Sequence, residues 1–110
     1  MKLTQLFLND GKWEGRQIVS PEWARKSSAP LRVLSPTSGQ TYGYLWNSVS
    51  YPYRGRKLHA YFPGGNGGQV YIGIPELDLL IAFNGGNYAD PVLFRAQRNF
   101  VPEDILPAVK

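Results

Sequence analysis

The segment from Gln69 to Asn84 constrains this chain more than any other. Gln69-Val70-Tyr71-Ile72-Gly73-Ile74 and Leu79-Leu80-Ile81-Ala82-Phe83-Asn84 are the clearest strand signals, separated only by Pro75-Glu76-Leu77-Asp78. Parallel strands need a crossover of about a dozen residues or more, so these two must pair as an antiparallel hairpin. Leu79 to Phe83 is apolar without alternation, which predicts a strand covered on both faces and helices on at least one side of the sheet. A chain of 110 residues has room for one domain, spanning 1–110. Its 12 glycines and 9 prolines argue against a helical bundle, and 43% hydrophobic against 18% charged residues excludes a disordered tail. The predicted class is α/β of the α+β type.

The remaining elements follow from local patterns. Leu3, Leu6 and Phe7 recur at helical spacing and form the inward stripe of a short helix that Asn9-Asp10-Gly11 ends. No Ser, Thr, Asp or Asn precedes it, so its first N–H groups lack a local cap, as expected of a helix cut from a longer one. Gly11 and Gly15 bracket a tight turn before the extended Gln17-Ile18-Val19. Ser20-Pro21-Glu22-Trp23 marks a second helix with Ser20 as N-cap; it should end near Ser28, because Ala29 precedes Pro30. Leu31 to Thr41 reads as loop. Tyr42 to Trp46 and Leu58 to Phe62 read as strands, with a connection through Tyr51 to Lys57. A last helix is expected with Asp90 as N-cap, Pro91 in its first turn and Leu93, Phe94 and Gln97 inward, while Pro102 and Pro107 break up the tail. The expected architecture is an antiparallel sheet of about three strands flanked by short N-terminal and C-terminal helices.

Composition closes several routes to function. Without cysteine there is no disulfide framework or thiolate metal site, and the single histidine, His59, cannot supply a zinc cluster. Neither a metal nor a cofactor is expected. No apolar run approaches the roughly 20 residues of a membrane-spanning helix, and Met1 to Asp10 lacks the flanks of a signal peptide. The formal charge of +4 raises nucleic acid or another anionic surface as a partner.

Gly64-Gly65-Asn66-Gly67-Gly68 opens backbone conformations closed to other residues and lets another chain or a ligand approach closely. It lies within a longer series of strings: Gln5-Leu6-Phe7-Leu8-Asn9-Asp10-Gly11-Lys12-Trp13, Ile18-Val19-Ser20-Pro21-Glu22-Trp23, Tyr42-Gly43-Tyr44-Leu45-Trp46, Gly65-Asn66-Gly67-Gly68-Gln69 and Ile74-Pro75-Glu76-Leu77-Asp78-Leu79. In this order and spacing they resemble the C-terminal third of the serine β-lactamase-like family, which includes class C β-lactamases, penicillin-binding carboxypeptidases and related esterases. The resemblance covers nearly the whole chain. It implies a partial β-lactamase/transpeptidase-like fold from a hydrolase that transfers acyl groups through an activated serine.

Such sites combine Ser-x-x-Lys, Tyr-x-Asn or a relative, and Lys-Thr-Gly or His-x-Gly on a strand edging the cleft. By resemblance, Asn66-Gly67-Gly68 occupies the third motif, on the strand continuing into Gln69, and the Gln69 N–H is one of two oxyanion donors. Gly65, Asn66, Gly67, Gly68 and Gln69 are thus the substrate-binding or oxyanion edge. Asn66 stands where Lys or His often stands, which removes a cation and either favours neutral esters or amides over penicillin-like substrates or marks a degenerate site. The other motifs are absent: Ser20 meets Trp23 three residues on, Ser28 meets Leu31, Ser35 meets Ser38 and Ser48 meets Tyr51, while Tyr44 is followed by Leu45-Trp46 and Tyr61 by Phe62-Pro63. This chain therefore holds no catalytic residue of that machinery and is expected to be inactive alone. The missing N-terminal catalytic segment is its expected partner. Apolar surface left uncovered should drive self-association into a homo-oligomer. The family's penicillin-binding members act outside the cytoplasm, so the parent protein is expected to be extracytoplasmic or periplasmic.

Other residues invite weaker readings. His59 alone reads as a surface or strand-edge residue rather than a general base. Glu76 and Asp78 read as a solvated turn, and Trp13, Trp23 and Trp46 as core. Tyr51, Tyr53, Arg54, Arg56 and Lys57 interleave aromatics with cations, as single-stranded nucleic acid requires. That supports the alternative of a free-standing, non-catalytic binding module. No recognised nucleic-acid module surrounds the cluster, so a solvated basic loop is the preferred account.

Overall fold

A computed structural model describes residues 1–110, the side chain of Leu93 excepted. The chain begins with α1 (Lys2–Leu8), the small hairpin β1 (Lys12–Trp13) and β2 (Arg16–Gln17), and α2 (Pro21–Ser28). There follow β3 (Arg32–Ser35), β4 (Gln40–Gly43), β5 (Trp46–Tyr53), β6 (Arg56–Phe62), β7 (Val70–Ile74) and β8 (Leu79–Phe83). A 3-10 turn (Pro91–Phe94), wide π-helical turns (Ala96–Ile105) and a last α-helical turn (Leu106–Ala108) complete it.

Helices and antiparallel sheets make this an α+β protein, but the expected three strands are too few. β3 to β8 form a six-stranded antiparallel meander in chain order, beside the two-stranded β1–β2 sheet. The extra strands come from hairpins whose turns are inconspicuous. Tyr42–Trp46 is two strands rather than one: Tyr44 and Leu45 lie at φ 48° and 69°, and Gly43 pairs with Trp46 across this two-residue turn. Positive φ at both central residues matches the right-handed twist of the flanking strands. Likewise Tyr51–Lys57 is a tight hairpin, with Tyr53 opposite Arg56 and the turn at Arg54-Gly55. Pro52 is tolerated in β5 because β4 pairs only with Trp46 to Ser48, leaving the other edge of β5 open where Pro52 lacks an N–H. The supposed loop from Leu31 to Thr41 contains β3 and the start of β4.

The two faces of the sheet follow the period-2 alternation. Tyr51, Tyr53, Leu58, Ala60, Phe62, Val70, Ile72, Ile74 and Ile81 form one cluster with Val101 and Leu106 of the C-terminal helix. On the opposite face Phe7 meets Trp46 at 4.8 Å, and Trp46 meets Tyr61 edge-on at 5.2 Å. There α1 packs on β7 and α2 on β5, so helices cover both faces. β8, however, is an edge strand with Ala82 exposed and Leu80 only half-buried, so its apolar run is not covered on both faces.

Local signals explain the helix ends. The Ser20 hydroxyl accepts a hydrogen bond from the Trp23 N–H at 3.2 Å, and Ala29 leaves α2 in extended geometry before Pro30. Ser20→Ala is expected to lower stability by about 1 kcal/mol. Urea unfolding reads this as a lower midpoint at constant slope, and an unchanged midpoint would mean that the cap contributes nothing. α1 has no side-chain cap, and its buried residue is Thr4, not Leu3, because the Thr4 hydroxyl turns to the Tyr71 carbonyl at 3.4 Å. Asp90 caps the Val92 N–H at 2.9 Å. Of the expected inward residues, Gln97 is buried, Phe94 is exposed, and the Leu93 side chain lies outside the described residues. Pro102 does not break the tail: it sits inside the π-helical turns, next to the fully buried Val101. Pro107 sits in the first turn of the last α-helical stretch, where no donor is needed.

Candidate functional site

The glycine run is the turn that joins β6 to β7, not the beginning of a strand. Gly64 pairs with Val70 as an isolated bridge, and β7 begins only at Val70. Within the turn the Gly65 N–H donates to the Gln69 carbonyl at 2.7 Å and the Gly68 N–H to the Gly65 carbonyl at 3.1 Å. The Gln69 side chain folds back over it: its Oε1 accepts from the Gly67 N–H at 3.2 Å, and its Nε2 donates to the Gly85 carbonyl at 2.7 Å. The strand-end segment locks from the other side, through Gly85 N–H to Gly68 carbonyl at 3.2 Å and Asn87 N–H to Gly67 carbonyl at 3.0 Å.

This network gives the glycines a physical reason. Gly68 lies at φ +86°, which side chains rarely adopt. A β-carbon on Gly67 would sit 2.6 Å from Gln69 Nε2 and 2.8 Å from the Tyr88 ring. One on Gly85 would sit 2.6 Å from the Gly67 carbonyl oxygen. The closeness that the run permits is therefore, in part, closeness to the chain's own 85–88 segment. Gln69→Ala removes both side-chain links and is expected to cost about 1–3 kcal/mol. Amide exchange at Gly67 should quicken more than at Ile72; equal effects at both sites would mean global rather than local loosening.

Gly65, Gly67 and Gly68 each use their N–H within this turn, whereas the Gln69 N–H has no partner among the described residues. Gln69 and Gly65 border a cavity of about 330 Å³ whose walls include Met1, Leu3, Thr4 and Tyr71. Asn66 projects from the turn and is exposed, while Gly67 and Gly68 are buried. On its other side Gly65 and Asn66 border a second cavity of about 210 Å³. The candidate edge is thus a rigid turn, without ionisable groups between Gly64 and Gln69, placed between two open spaces.

The other candidates have structural employment. The His59 ring lies 3.2 Å from the Ser28 carbonyl at the end of α2, and its backbone N–H donates to Glu76 Oε1 at 2.9 Å. Asp78 closes the short turn after Pro75–Leu77 at φ 48°. Trp46 is core, Trp13 is half-buried and Trp23 is exposed, edge-on to Tyr44 at 5.0 Å. Tyr51 and Tyr53 belong to the core, so their rings are not available to stack bases. Arg54, Arg56 and Lys57 stand at the exposed hairpin tip, with Arg54 tied to the Val109 carbonyl at 2.9 Å.

Sequence reasoning missed Gln40 and Asn47 and read Gln97 only as an inward helix residue; the three meet at the second cavity from β4, β5 and the C-terminal helix. No local pattern marks their meeting, since they converge only through the hairpin at Tyr44-Leu45 and the return of the helix. Among the described residues no cluster of His, Cys, Asp or Glu could hold a metal ion, and no helix is long and apolar enough to cross a membrane. No protein-family model matches the chain, and no curated protein gives a significant match to it.

Proposed function

We propose that this chain is the C-terminal portion of a serine hydrolase of the β-lactamase, penicillin-binding protein or esterase type, with a partial β-lactamase/transpeptidase-like fold. Its contribution is the third-motif edge. The observation that carries the reading is the unpartnered Gln69 N–H on a braced glycine turn beside an open cavity. A donor fixed before the reaction stabilises a developing oxyanion without reorganisation. Asn66 supplies an amide at the rim and no cation, which favours neutral ester or amide substrates over anionic ones. The nucleophilic serine and its lysine come from the N-terminal segment of the parent chain.

That segment would also cover the apolar edge of the sheet, where β3 and the residue before it expose Leu31, Val33 and Leu34 and the β4–β5 turn exposes Tyr44 and Leu45. In the isolated chain this face promotes self-association, so sedimentation should show mass rising with concentration. A single monomeric species at high concentration would remove that part of the proposal.

The central test has two arms. Coding sequence upstream of Met1 should supply an in-frame Ser-x-x-Lys on a helix; an upstream stop codon with no such motif would overturn the parentage. The 110-residue chain alone should leave a nitrophenyl ester and a chromogenic lactam unhydrolysed above background. Turnover by this chain alone would show that its chemistry does not depend on an external serine.

A further inference from the structure

We propose that the cavity between the sheet and the C-terminal helix is a binding site for a small uncharged amide, such as an acylated amino-acid amide or one peptide unit. The cavity measures about 210 Å³, and its lining includes four carboxamide residues, Gln40, Asn47, Asn66 and Gln97, with Phe62 and Phe94. No ionisable side chain lines it.

Hydrogen-bond accounting gives the ligand its chemistry. Gln40 donates to Asn47 at 2.9 Å, which occupies one donor group and one acceptor. The Asn47 amide NH2 and the Gln40 carbonyl have no partner among the described residues. Turning both amides over would exchange their roles and still leave one donor group and one acceptor. Gln97 is only 4% exposed, its backbone carbonyl accepts from the Tyr51 hydroxyl at 2.8 Å, and its carboxamide has no partner among the described residues. Its amide atoms are not sealed from solvent, since among the described residues only the Tyr61 hydroxyl is both buried and unpaired, so a ligand amide would take the place of solvent there.

An amide ligand offers a donor and an acceptor together, which is the complement of this lining. A carboxylate offers acceptors alone and would lose hydration with no cation to meet it. An ammonium would find no anion. Phe62, Phe94 and Val70 can take a short apolar substituent. Gln40 and Gln97 also line an adjoining cavity of about 280 Å³, which gives a longer ligand a direction in which to continue. Recognition of this kind needs no nucleophile and does not depend on the hydrolase reading.

The test is NMR titration of the 110-residue chain with three probes: N-acetylglycinamide, N-acetylglycinate and glycinamide, which are neutral, anionic and cationic. Saturable shifts of the Gln40, Asn47 and Gln97 side-chain amides are expected with the neutral probe, at affinities about tenfold or more above the charged ones. Asn47→Leu and Gln97→Leu should each weaken binding about tenfold. Because Gln97 is buried, Gln40→Ala at a half-buried position serves as the variant that keeps the fold, verified by an unchanged spectrum elsewhere. The proposal is overturned if no saturable shift occurs up to the solubility of the neutral probe. It is also overturned if the anionic probe binds as well, or if Gln40→Ala leaves binding unchanged in a folded protein.

Discussion

Leu58→Ala should cost about 2–5 kcal/mol, a large share of the roughly 5–15 kcal/mol that holds a domain folded. Leu58 is fully buried in β6, within the cluster that joins β5, β6 and β7 to Val101 and Leu106. Truncation removes its transfer energy and leaves a cavity that neighbours on a hydrogen-bonded sheet cannot easily fill. Leu45→Ala is the contrasting control. Leu45 is 78% exposed at the β4–β5 turn, so its loss should change stability by no more than about 0.5 kcal/mol. Urea unfolding of both variants decides the matter. A cost for Leu58→Ala near that of Leu45→Ala would mean that the sheet and the C-terminal helix do not share this core.

The second large effect is alkaline unfolding. Burial raises the pKa of the Tyr51 hydroxyl well above its ordinary value of 10.0, and burial with the nearby Asp10 charge does the same for Tyr61. Both groups ionise more readily in the unfolded chain. Their contribution to stability is therefore complete below about pH 10 and is lost as pH rises through and beyond that value. A tyrosine that releases its proton only on unfolding steepens the loss by up to about 1.4 kcal/mol per pH unit. Urea midpoints should thus be flat up to about pH 9 and fall steeply above about pH 10. The two tyrosines differ in a testable way. The Tyr61 hydroxyl is buried without a hydrogen-bond partner, so Tyr61→Phe should leave neutral-pH stability unchanged or raised while flattening the alkaline limb. Tyr51→Phe loses the bond to the Gln97 carbonyl and should cost about 1 kcal/mol at neutral pH. A steep alkaline limb that survives both substitutions would assign the transition to other groups.

These two tyrosines also show how the fold and the site differ in legibility. Their positions in β5 and β6 place them on opposite faces of the sheet, and which face receives α1 and which the C-terminal helix is a tertiary matter. The glycine run was visible as a place of close backbone approach, and it is one. Its nearest neighbours, Gly85 to Tyr88, come from beyond β8, and no local pattern links Gln69 to the Gly85 carbonyl. The cavity carboxamides are less legible still, because Gln40 and Asn47 carry no periodicity, helical spacing turns Gln97 inward without showing what it faces, and the three meet only across three elements.

By itself the sequence determined what short-range physics controls. Ser20 and Asp90 cap their helical segments because a side-chain oxygen can reach an N–H two or three residues on. Ala29 leaves α2 because Pro30 excludes helical geometry before it. Ile74 and Leu79 pair because four residues permit only an antiparallel return. The tertiary structure alone decided the rest. Tyr44 and Leu45 lack the usual chemistry of a positive-φ turn and are held there by pairing of the strands they join. Pro52 stays in a strand because β4 ends before reaching it, and Pro102 stays in a helix whose turns have widened. In each case non-local contacts outweighed a local preference worth about 1–3 kcal/mol, and no reading of neighbours along the chain contains those contacts.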